Sequence, residues 1–393
     1  MGNNTSSESS SIPLKSNINL EDNKATVLFK QETACNSKQV TYRIPALIYI
    51  SKDQTFLAFA EKRKTADDAD AEVLVMRRGS WKDGKNEVEW DSGHQVLTAC
   101  LPNHRSMNPC PVYESDSKTL FLFFICIPKG VSEKDQKKQK KNQARLCYIT
   151  SKDTGKTWND ITDLKDVISE KEKNWATFAV GPGHGVQIKS RLIIPAYAYC
   201  TSCCCSPCCC LSCCCFTPYA LAFYSDDKGS TWKAGKQMAV ESCECQMAEI
   251  IDDKGKNTLY CNARTRLGYR TEALSYNSGE GFDKVLPPKK LIDTGEGCQG
   301  SVLSFVGQSS PPKTWLLYSH PSDPKNRVNL GLYLNKSPWD SSGWPEEPLL
   351  ILHRGPSAYS DLVEYEPGHF ACLFECGKEH EKEEIAFRLF KLP

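Results

Sequence analysis

Three arginines with distinctive neighbours are the residues of this chain most suited to binding chemistry. Arg43 lies in Y-R-I-P, Arg264 in C-N-A-R and Arg327 in P-K-N-R-V-N-L-G. A guanidinium group stays charged, and its planar fork can bond a carboxylate through two N–H groups at once. Taken alone, each of them is expected to be a surface ion-pair partner. They form a candidate anion site only if the fold brings them together.

Two copies of the pattern S-x-D-x-G-x-T-W indicate the scaffold. They are S-K-D-T-G-K-T-W (151–158) and S-D-D-K-G-S-T-W (225–232), and a degenerate third copy is S-Y-N-S-G-E-G-F (275–282). The aspartate can bond backbone amides across a turn, the glycine can take positive φ, and the tryptophan can pack beneath a neighbouring hairpin. One copy would be an ordinary hairpin turn, but repeats tens of residues apart predict radial blades.

The rest of the sequence is typical of an all-β protein. From residue 26 onward, short runs of β-branched and aromatic residues are separated by Gly, Pro, Asn and Asp. Helical periodicity is scarce, and we expect one short surface helix within the insertion 129–145. At roughly 60 residues per blade, the length predicts a six-bladed β-propeller with four antiparallel strands per blade, a single domain over 26–393.

The composition limits the partners and the compartment. With 49 Lys and Arg against 48 Asp and Glu, the net charge of +1 gives no reason to expect a nucleic-acid partner. No apolar run approaches the ~18 residues of a membrane span, and residues 1–25 lack the apolar core of a secretory signal. We therefore expect synthesis in the cytosol, a monomer or weak oligomer, and no cofactor or metal.

The 21 cysteines form two groups. Ten lie between Cys200 and Cys215, and the other eleven are spread along the chain, several in apolar runs such as F-L-F-F-I-C (121–126). Without a secretory signal, the eleven are expected to be reduced core thiols and not disulfides.

The N-terminal arm and two insertions bear on membrane attachment. Residues 1–25 are Ser- and Asn-rich, are expected to be disordered, and open with M-G-N-N-T-S, a myristoylation pattern with Gly2 as acceptor. The lysine-rich insertion 129–145 is expected to be a solvated loop in preference to a lipid-headgroup contact. The insertion 200–218 contains three cysteine triplets, which suit S-acylation or a soft metal such as zinc or copper(I).

Acylation of the cysteine triplets is favoured over metal binding or a neutral loop, because no histidine lies among them and the spacing differs from a C-x₂-C pair site. The candidate acceptors are Cys203, Cys204, Cys205, Cys208, Cys209, Cys210, Cys213, Cys214 and Cys215. A myristoyl group alone anchors weakly, and acyl chains would supply the second lipid. The predicted location is peripheral on the plasma membrane or an endomembrane, with a cytoplasmic location as the alternative.

The combined pattern resembles the sialidases (neuraminidases), in particular the vertebrate cytosolic and plasma-membrane ganglioside sialidases. The resemblance runs from about Val27 to Leu392. Its further motifs are L-A-F-A-E-K-R (57–63), H-R-S-M-N-P-C (104–110), F-A-V-G-P-G-H (178–184), P-A-Y-A-Y (195–199), E-C-Q-M-A-E (244–249), C-Q-G-S-V (298–302) and A-Y-S-D-L (358–362). It implies the propeller fold and a site for sialic acid, a sugar with a carboxylate on its anomeric carbon.

The family binds this carboxylate with three arginines from separate blades, and Arg43, Arg264 and Arg327 match them by local motif. Glu375 in C-L-F-E-C matches the acid that orients the first arginine. A carboxylate nucleophile would bring two negative charges to the reacting carbon, and sialidases use a tyrosine instead. Tyr359 in A-Y-S-D matches that tyrosine.

The same resemblance implies the groups that move protons. A free phenol titrates near pH ~10, so Tyr359 needs a base and nearby positive charge. Glu244 matches the family's base, whereas its rival Glu249 corresponds to a framework acid. Counted from Arg63, Asp68 occupies the acid/base position on a loop, and the neighbouring aspartates at 67 and 70 leave a one-residue ambiguity.

Other positions match the family's pocket. Those near the sugar-ring substituents are Arg63, Met107 and Asn108, and those along the glycerol and N-acyl side chains are Glu133, Tyr197 and Tyr199. The two tyrosines are equally plausible as ordinary strand aromatics. Glu296 stands where cytosolic relatives carry glutamine, which is expected to shift substrate preference or pH optimum.

The resemblance therefore implies a retaining exo-α-sialidase that releases terminal sialic acid from gangliosides, glycoproteins and oligosaccharides through a tyrosyl-enzyme intermediate. The alternative is a non-catalytic propeller that only binds sialic acid, and transfer to another sugar is a lesser variant. The presence of Tyr359, Glu244 and Asp68 together with the arginines favours the enzyme. An acylated cysteine string directly after Tyr199 would hold the mouth of the site against a bilayer and favour gangliosides.

Overall fold

The computed structural model describes residues 24–33, 39–201, 216–287, 291–340 and 342–392. The predicted lipid acceptors, Gly2 and the cysteines from Cys203 to Cys215, lie outside these ranges, as do residues 1–23 of the predicted arm. Among the described residues there is no helix with the length and apolar character that a bilayer crossing requires.

The described chain is built almost entirely of strands. Their bounds are β1 (Thr26–Lys30), β2 (Glu32–Thr33), β3 (Gln39–Ile50), β4 (Thr55–Arg63), β5 (Ala71–Lys82), β6 (Glu87–Trp90), β7 (Gln95–Val96), β8 (His104–Glu114), β9 (Thr119–Pro128), β10 (Arg145–Ser151), β11 (Thr162–Asp163), β12 (Trp175–Val180), β13 (Val186–Ile188), β14 (Arg191–Cys200), β15 (Pro218–Ser225), β16 (Lys233–Ala234), β17 (Cys245–Ile251), β18 (Asn257–Ala263), β19 (Thr271–Ser275), β20 (Lys284–Leu286), β21 (Ser301–Val306), β22 (Thr314–Pro321), β23 (Val328–Asn335), β24 (Leu350–Glu366), β25 (His369–Cys376) and β26 (Glu384–Lys391). The helices are α1 (Glu133–Gln139) and α2 (Lys165–Ile168), with single 3₁₀ turns at Ser51–Asp53, Asp68–Asp70, Asp83–Lys85 and Glu172–Asn174.

The strands pair antiparallel in chain order. The sheets run β2-β3-β4-β5-β6 with β7 beside β5, then β8-β9-β10-β11, then β12-β14-β15-β16 with β13 beside β14, then β17-β18-β19-β20, and finally β21-β22-β23-β24-β25-β26-β1. The 17-residue strand β24 pairs with β23 up to Pro356 and with β25 from Ser357 onward, so the last sheet divides there into two four-stranded halves.

The sheets close into a ring. Inner strands contact one another in succession, β3 with β8, β8 with β12, β14 with β17, β17 with β21, β21 with β24, and β24 with β3 again. The pairing of β1 with β26 joins the two ends of the chain in one sheet. This division and closure are consistent with the six predicted blades, although the count itself stays a prediction.

Two sheets exceed the expected four strands. The first carries the two-residue strands β2 and β7, and the third has its first strand interrupted between β12 and β13. The interruption falls on Gly181 and Gly183, which take φ of +59° and +114° and cannot continue a pleated strand. Sequence alternation alone did not reveal these breaks.

The core lies between neighbouring sheets. Every residue of β9 except its last, Pro128, is buried, because one face of the strand packs on the preceding sheet and the other on the following sheet. At the second repeat, Trp232 stands 4.5 Å from the ring of Phe123 in the preceding sheet. The strands therefore read as continuous apolar runs and not as simple alternation.

The three repeats form the same turn at the same place, between the third and fourth strands of their sheets. In each, the serine hydroxyl bonds the residue two further on, at 2.8 Å, and accepts the glycine N–H at 2.8 to 2.9 Å. Each glycine has positive φ: +74° at Gly155, +90° at Gly229 and +95° at Gly279. The predicted turn chemistry is confirmed, including the degenerate copy.

Two further predictions are confirmed. Helix α1 is the short helix expected in the lysine-rich insertion, and Ser132 and Asp135 cap it reciprocally. Of the eleven dispersed cysteines, ten are described, and all ten are free thiols, most of them buried in the core.

Candidate active site

One edge of the ring carries the residues that the sequence singled out. We call this edge the mouth face. Because the sheets are antiparallel, every second connection along the chain lies there, namely β4–β5, β9–β10, β14–β15, β18–β19, β22–β23 and β25–β26. The repeat turns lie at the opposite edge. Residues from four of these connections line one cavity of about 340 Å³, namely Asp68, Glu133, Lys137, Phe216, Arg264, Thr265 and Arg266.

At the floor of this cavity, Tyr359 and Glu244 are joined directly. The Tyr359 hydroxyl donates to Oε1 of Glu244 at 2.6 Å. Nη1 of Arg264 donates to Oε2 of Glu244 at 2.8 Å and to the Tyr359 oxygen at 3.2 Å. Burial, with the Glu244 charge, raises the pKa of Tyr359 well above its usual value, although Arg264 and Arg327 oppose the rise. The resting phenol is thus protonated and hydrogen-bonded to a carboxylate that can accept its proton.

Arg43 is oriented by a buried carboxylate on the adjoining sheet. Its Nε and Nη2 donate to the two oxygens of Glu375 at 2.6 and 3.2 Å. Glu375 also accepts the backbone N–H of Ile44 at 2.9 Å and of Tyr359 at 3.4 Å. Burial disfavours a charged Arg43, but Glu375 outweighs that effect and raises the pKa of the guanidinium. One acid therefore positions both an arginine and the tyrosine backbone.

The three arginines converge on one aromatic ring. The guanidinium carbons of Arg43 and Arg327 lie 5.3 and 5.5 Å from the centre of the Tyr359 ring, and Arg264 bonds its hydroxyl. Nη2 of Arg327 donates to the carbonyl of Gly297 at 3.0 Å. Three short sequence motifs spread over more than 280 residues thus bring fixed positive charge around a single phenol.

The geometry separates the three competing aspartates of the β4–β5 connection. Asp67 caps the 3₁₀ turn by accepting the N–H of Ala69 at 2.9 Å, and Asp70 accepts the Thr65 hydroxyl at 2.6 Å. Asp68 lines the cavity and pairs with Nη1 of Arg63, with 72% of its side chain exposed.

The surroundings of Asp68 favour its charged form. Partial burial works against ionisation, but Arg63 and Arg43 outweigh it and lower the pKa of the Asp68 carboxyl. Arg63 itself is fully buried and bonded through Nε to Glu61 at 2.8 Å. Asp68 is therefore an exposed carboxylate on a short connection, held by a rigid arginine.

The rivals for the base position are also separated in space. Glu244 contacts Tyr359, whereas Glu249 accepts a hydrogen bond from the Asn257 amide on the neighbouring strand and does not line the cavity.

The pocket positions fall into two groups. Glu133, Tyr197 and Tyr199 line the cavity, whereas Arg63, Met107 and Asn108 are buried beside it. The second group is linked by Glu61, which bonds Arg63 and accepts the Asn108 N–H at 2.6 Å. Asn108 takes φ of +58°, a value that asparagine tolerates better than most residues.

Several residues of the site were not assigned from the sequence. Lys137 lies 3.3 Å from the centre of the Tyr199 ring and pairs with Glu133, four residues earlier on α1. That i,i+4 spacing was the available signal. Buried Asp361 accepts the N–H of Leu47 at 2.7 Å and bonds His184 at 2.8 Å below the cavity, and only its position within A-Y-S-D-L pointed to it.

Comparisons with known proteins agree with this geometry. The BNR repeat-like domain family matches residues 54–372. Sialidase-3 of Homo sapiens is 45% identical over 399 residues, covering 92% of this chain and 91% of that protein. Sialidase-2 of Mus musculus is 44% identical over 377 residues, covering 93% of this chain and 96% of that protein. The chain belongs to the vertebrate sialidase family.

The fold agrees with solved sialidase structures as well. The NanB sialidase of Streptococcus pneumoniae superposes with a TM-score of 0.69 over 97% of this chain and 71% of NanB, at 16% identity. At that identity the likeness speaks for the fold alone. The predicted all-β propeller of the sialidase type is thereby confirmed.

Proposed function

We propose that the chain is a retaining exo-α-sialidase that hydrolyses terminal sialic acids. The observation that carries the proposal is the Tyr359–Glu244 hydrogen bond of 2.6 Å, set among the three arginines. A binding site for an anionic sugar needs the arginines, but it does not need a phenol paired with a base. The membership of the sialidase family supports the same activity.

In the proposed first step, the arginines hold the sugar carboxylate and so place the anomeric carbon above Tyr359. The Tyr359 oxygen attacks that carbon while Glu244 takes the phenolic proton. The bond to the glycosidic oxygen breaks, and Asp68, in its protonated form, gives that oxygen a proton. Burial raises the pKa of the Tyr359 hydroxyl, and the positive charge of the arginines opposes this effect by stabilising the phenolate as it forms.

In the second step, Asp68, now a carboxylate, takes a proton from water as the water oxygen attacks the anomeric carbon. The bond to the Tyr359 oxygen breaks, and Glu244 returns its proton to the phenolate. Two inversions retain the configuration of the sugar. Asp68 must release Arg63 to be protonated, and its exposure on a short connection is compatible with that exchange.

We further propose gangliosides as substrates and a lipid-anchored location at a membrane. Support comes from the Gly2 pattern and from the position of the cysteine string between β14 and β15. Tyr199 and Phe216, on either side of that string, both line the cavity. Acyl chains on the string would therefore be attached beside the mouth of the site.

The activity is tested by release of 4-methylumbelliferone from its α-sialoside. We expect turnover by the wild type and a loss of several orders of magnitude in Tyr359→Phe and Glu244→Gln. Glu249→Gln is the matched control and should keep its activity, because its carboxylate lies away from the cavity. Absence of turnover in the wild type, with sialic acid still bound, would mean a non-catalytic binding propeller.

The location is tested separately by fractionation of cells. Replacing all ten clustered cysteines by serine should move the protein from the membrane pellet to the soluble fraction, with its activity on the soluble substrate unchanged. Unaltered pelleting of the ten-cysteine variant would contradict the acyl anchor.

A further inference from the structure

A second feature of the mouth face is a concentration of positive charge on the β9–β10 connection. Residues 129–145 contain seven Lys and Arg against two Asp and Glu, a net charge of +5. Because the whole chain carries +1, the remaining residues sum to −4. An anionic partner would therefore be attracted to this segment and not to the protein surface as a whole.

The segment is largely exposed to solvent, and its short helix is held in place by local contacts. Helix α1 is fixed by its reciprocal cap and by Gln136, which is fully buried and accepts the backbone N–H of Gln143 at 2.8 Å. Lys134, Lys138, Lys140 and Lys141 are exposed, and none of them forms an ion pair with a described residue. We call these four residues the basic rim.

The basic rim lies beside the entrance to the site. Glu133 and Lys137, on the flank of the same helix, line the cavity. Across the cavity, Arg266 lines it as well, and the adjacent Leu267 is 54% exposed. Positive charge and an exposed apolar side chain thus border the same opening, a combination suited to the headgroup region of an anionic bilayer.

We propose that the basic rim binds anionic lipid headgroups directly and that Leu267 enters the interface, so that the cavity opens toward the bilayer. The inference deepens the membrane location proposed above and rests on it. It adds an attachment that needs no lipid on the protein. Such an attachment would keep the mouth directed at membrane-bound substrates even when the cysteines are not acylated.

The test uses the full chain produced without lipid modification and phosphatidylcholine vesicles with or without phosphatidylserine. Wild type should sediment with the phosphatidylserine vesicles and leave them as salt is raised. Each lysine near such a surface contributes about a fivefold factor in binding, so Lys→Gln at all four positions should weaken it by several hundredfold, close to three orders of magnitude. Leu267→Gln should weaken it by a smaller factor.

The matched control removes equal charge from the opposite edge, where Lys52, Lys118, Lys152 and Lys156 lie on the turns. The control variant should bind vesicles like the wild type. Equal binding by the basic-rim variant and the wild type, or an equal loss in the control, would overturn the proposal.

Activity on the soluble 4-methylumbelliferyl sialoside separates this proposal from the enzymatic one. It should be unchanged in the basic-rim variant, while hydrolysis of ganglioside in phosphatidylserine vesicles falls with the binding. An inactive wild type that still binds vesicles through the rim would refute the sialidase proposal and leave the membrane contact standing.

Discussion

Replacing Asp293 by asparagine should misplace the guanidinium groups of two of the three cavity arginines, although Asp293 bonds neither of them. Its carboxylate is buried and accepts four hydrogen bonds, from the backbone N–H groups of Thr265 (3.0 Å), Thr294 (3.1 Å) and Cys298 (2.9 Å) and from Nη1 of Arg270 (3.1 Å). Nε2 of His320 lies 3.2 Å from the same carboxylate. One side chain therefore fixes both ends of the segment 294–298.

That segment supports the arginines through its carbonyl groups. The Glu296 carbonyl accepts Nη2 of Arg264 at 3.2 Å, and the Gly297 carbonyl accepts Nη2 of Arg327 at 3.0 Å. In addition, Thr265, which Asp293 bonds directly, is the residue after Arg264. A shift of the segment is expected to misplace both guanidinium groups together.

The size of the effect follows from the lost acceptors. Asparagine keeps one carbonyl oxygen but turns an NH₂ group toward donors that had bonded the other oxygen, at about 1–3 kcal/mol for each buried group left unpaired. Arg270 is fully buried and would lose its anionic partner, a loss of about 3–5 kcal/mol. These terms overlap, so we expect a total destabilisation of about 3–5 kcal/mol. Misplacement of the arginines should lower kcat/KM by about 10²-fold, mainly through KM.

The assay is urea unfolding together with kinetics on the 4-methylumbelliferyl sialoside. Asp163→Asn is the control, because Asp163 pairs with Arg145 away from the cavity and should leave KM unchanged. If Asp293 acts through the arginines, its replacement should cost much less activity in an Arg327→Ala background than in the wild type. Independent, multiplicative losses, or an unchanged KM in the single variant, would refute the reasoning.

The pH dependence of the unfolding free energy gives a second check. Burial opposes ionisation of Asp293, but Arg270 and His320 outweigh it and hold the pKa of its carboxyl well below the usual range. A depressed carboxyl pKa stabilises the fold above the unfolded value of about 4, and the stabilisation is lost as pH falls toward the folded value. The difference between wild type and Asp293→Asn should hold from pH ~7 to ~5 and shrink below pH ~4.

Two further predictions concern stability, and urea unfolding checks both. In Gly183→Ala the new Cβ would lie 1.7 Å from the Gln246 amide, so we expect the unfolding free energy to fall by more than about 3 kcal/mol. Gly255→Ala is the control, because Gly255 also has positive φ but no atom lies within 4 Å of the new Cβ, and it should lose only about 1–2 kcal/mol. Equal losses would contradict the clash. Asp227→Ala should lose about 1–3 kcal/mol, because the carboxylate accepts bonds from Ser225 and twice from Thr231, and Asp227→Asn should lose less, since asparagine fills this place in the third repeat. The hydrogen bond from the Thr231 hydroxyl is the main cause that lowers the pKa of Asp227 to about 2. The stabilisation by the Asp227 carboxylate should therefore be lost as the pH falls from about 4 to about 2.

The features that were predictable from the sequence depend on local geometry. A serine, an acid or amide two residues later and a glycine two further on determine a turn without help from the rest of the chain, and all three repeats show it. The short strings around Arg43, Arg264 and Arg327 likewise marked residues that the fold brings together around Tyr359.

The features that were not predictable depend on contacts between distant segments. Glu61 bonds Arg63 and also Asn108, which lies 47 residues after Glu61, and Asp293 links Thr265 to Cys298, yet neither acid stands in a repeating pattern. In the sequence, a buried carboxylate looks like any other charged residue until its donors are known. The order among the aspartates at 67, 68 and 70 also required the turn geometry, since adjacent positions on a short connection face different partners.

The most distant of these contacts join the site to the closure of the ring. Glu375 on β25 binds Arg43 on β3 across 332 residues of sequence. Asp361 on β24 accepts the N–H of Leu47, which is also on β3, across 314 residues. Glu375 also accepts the backbone N–H of Tyr359 on the neighbouring strand, so closure of the ring brings Arg43 to a carboxylate that already bonds the tyrosine. The contacts of β24 and β25 with β3 that close the ring are therefore the ones that complete the site. The mouth-face chemistry is therefore a property of the whole closed ring, whereas each repeat turn at the opposite edge is a property of eight consecutive residues.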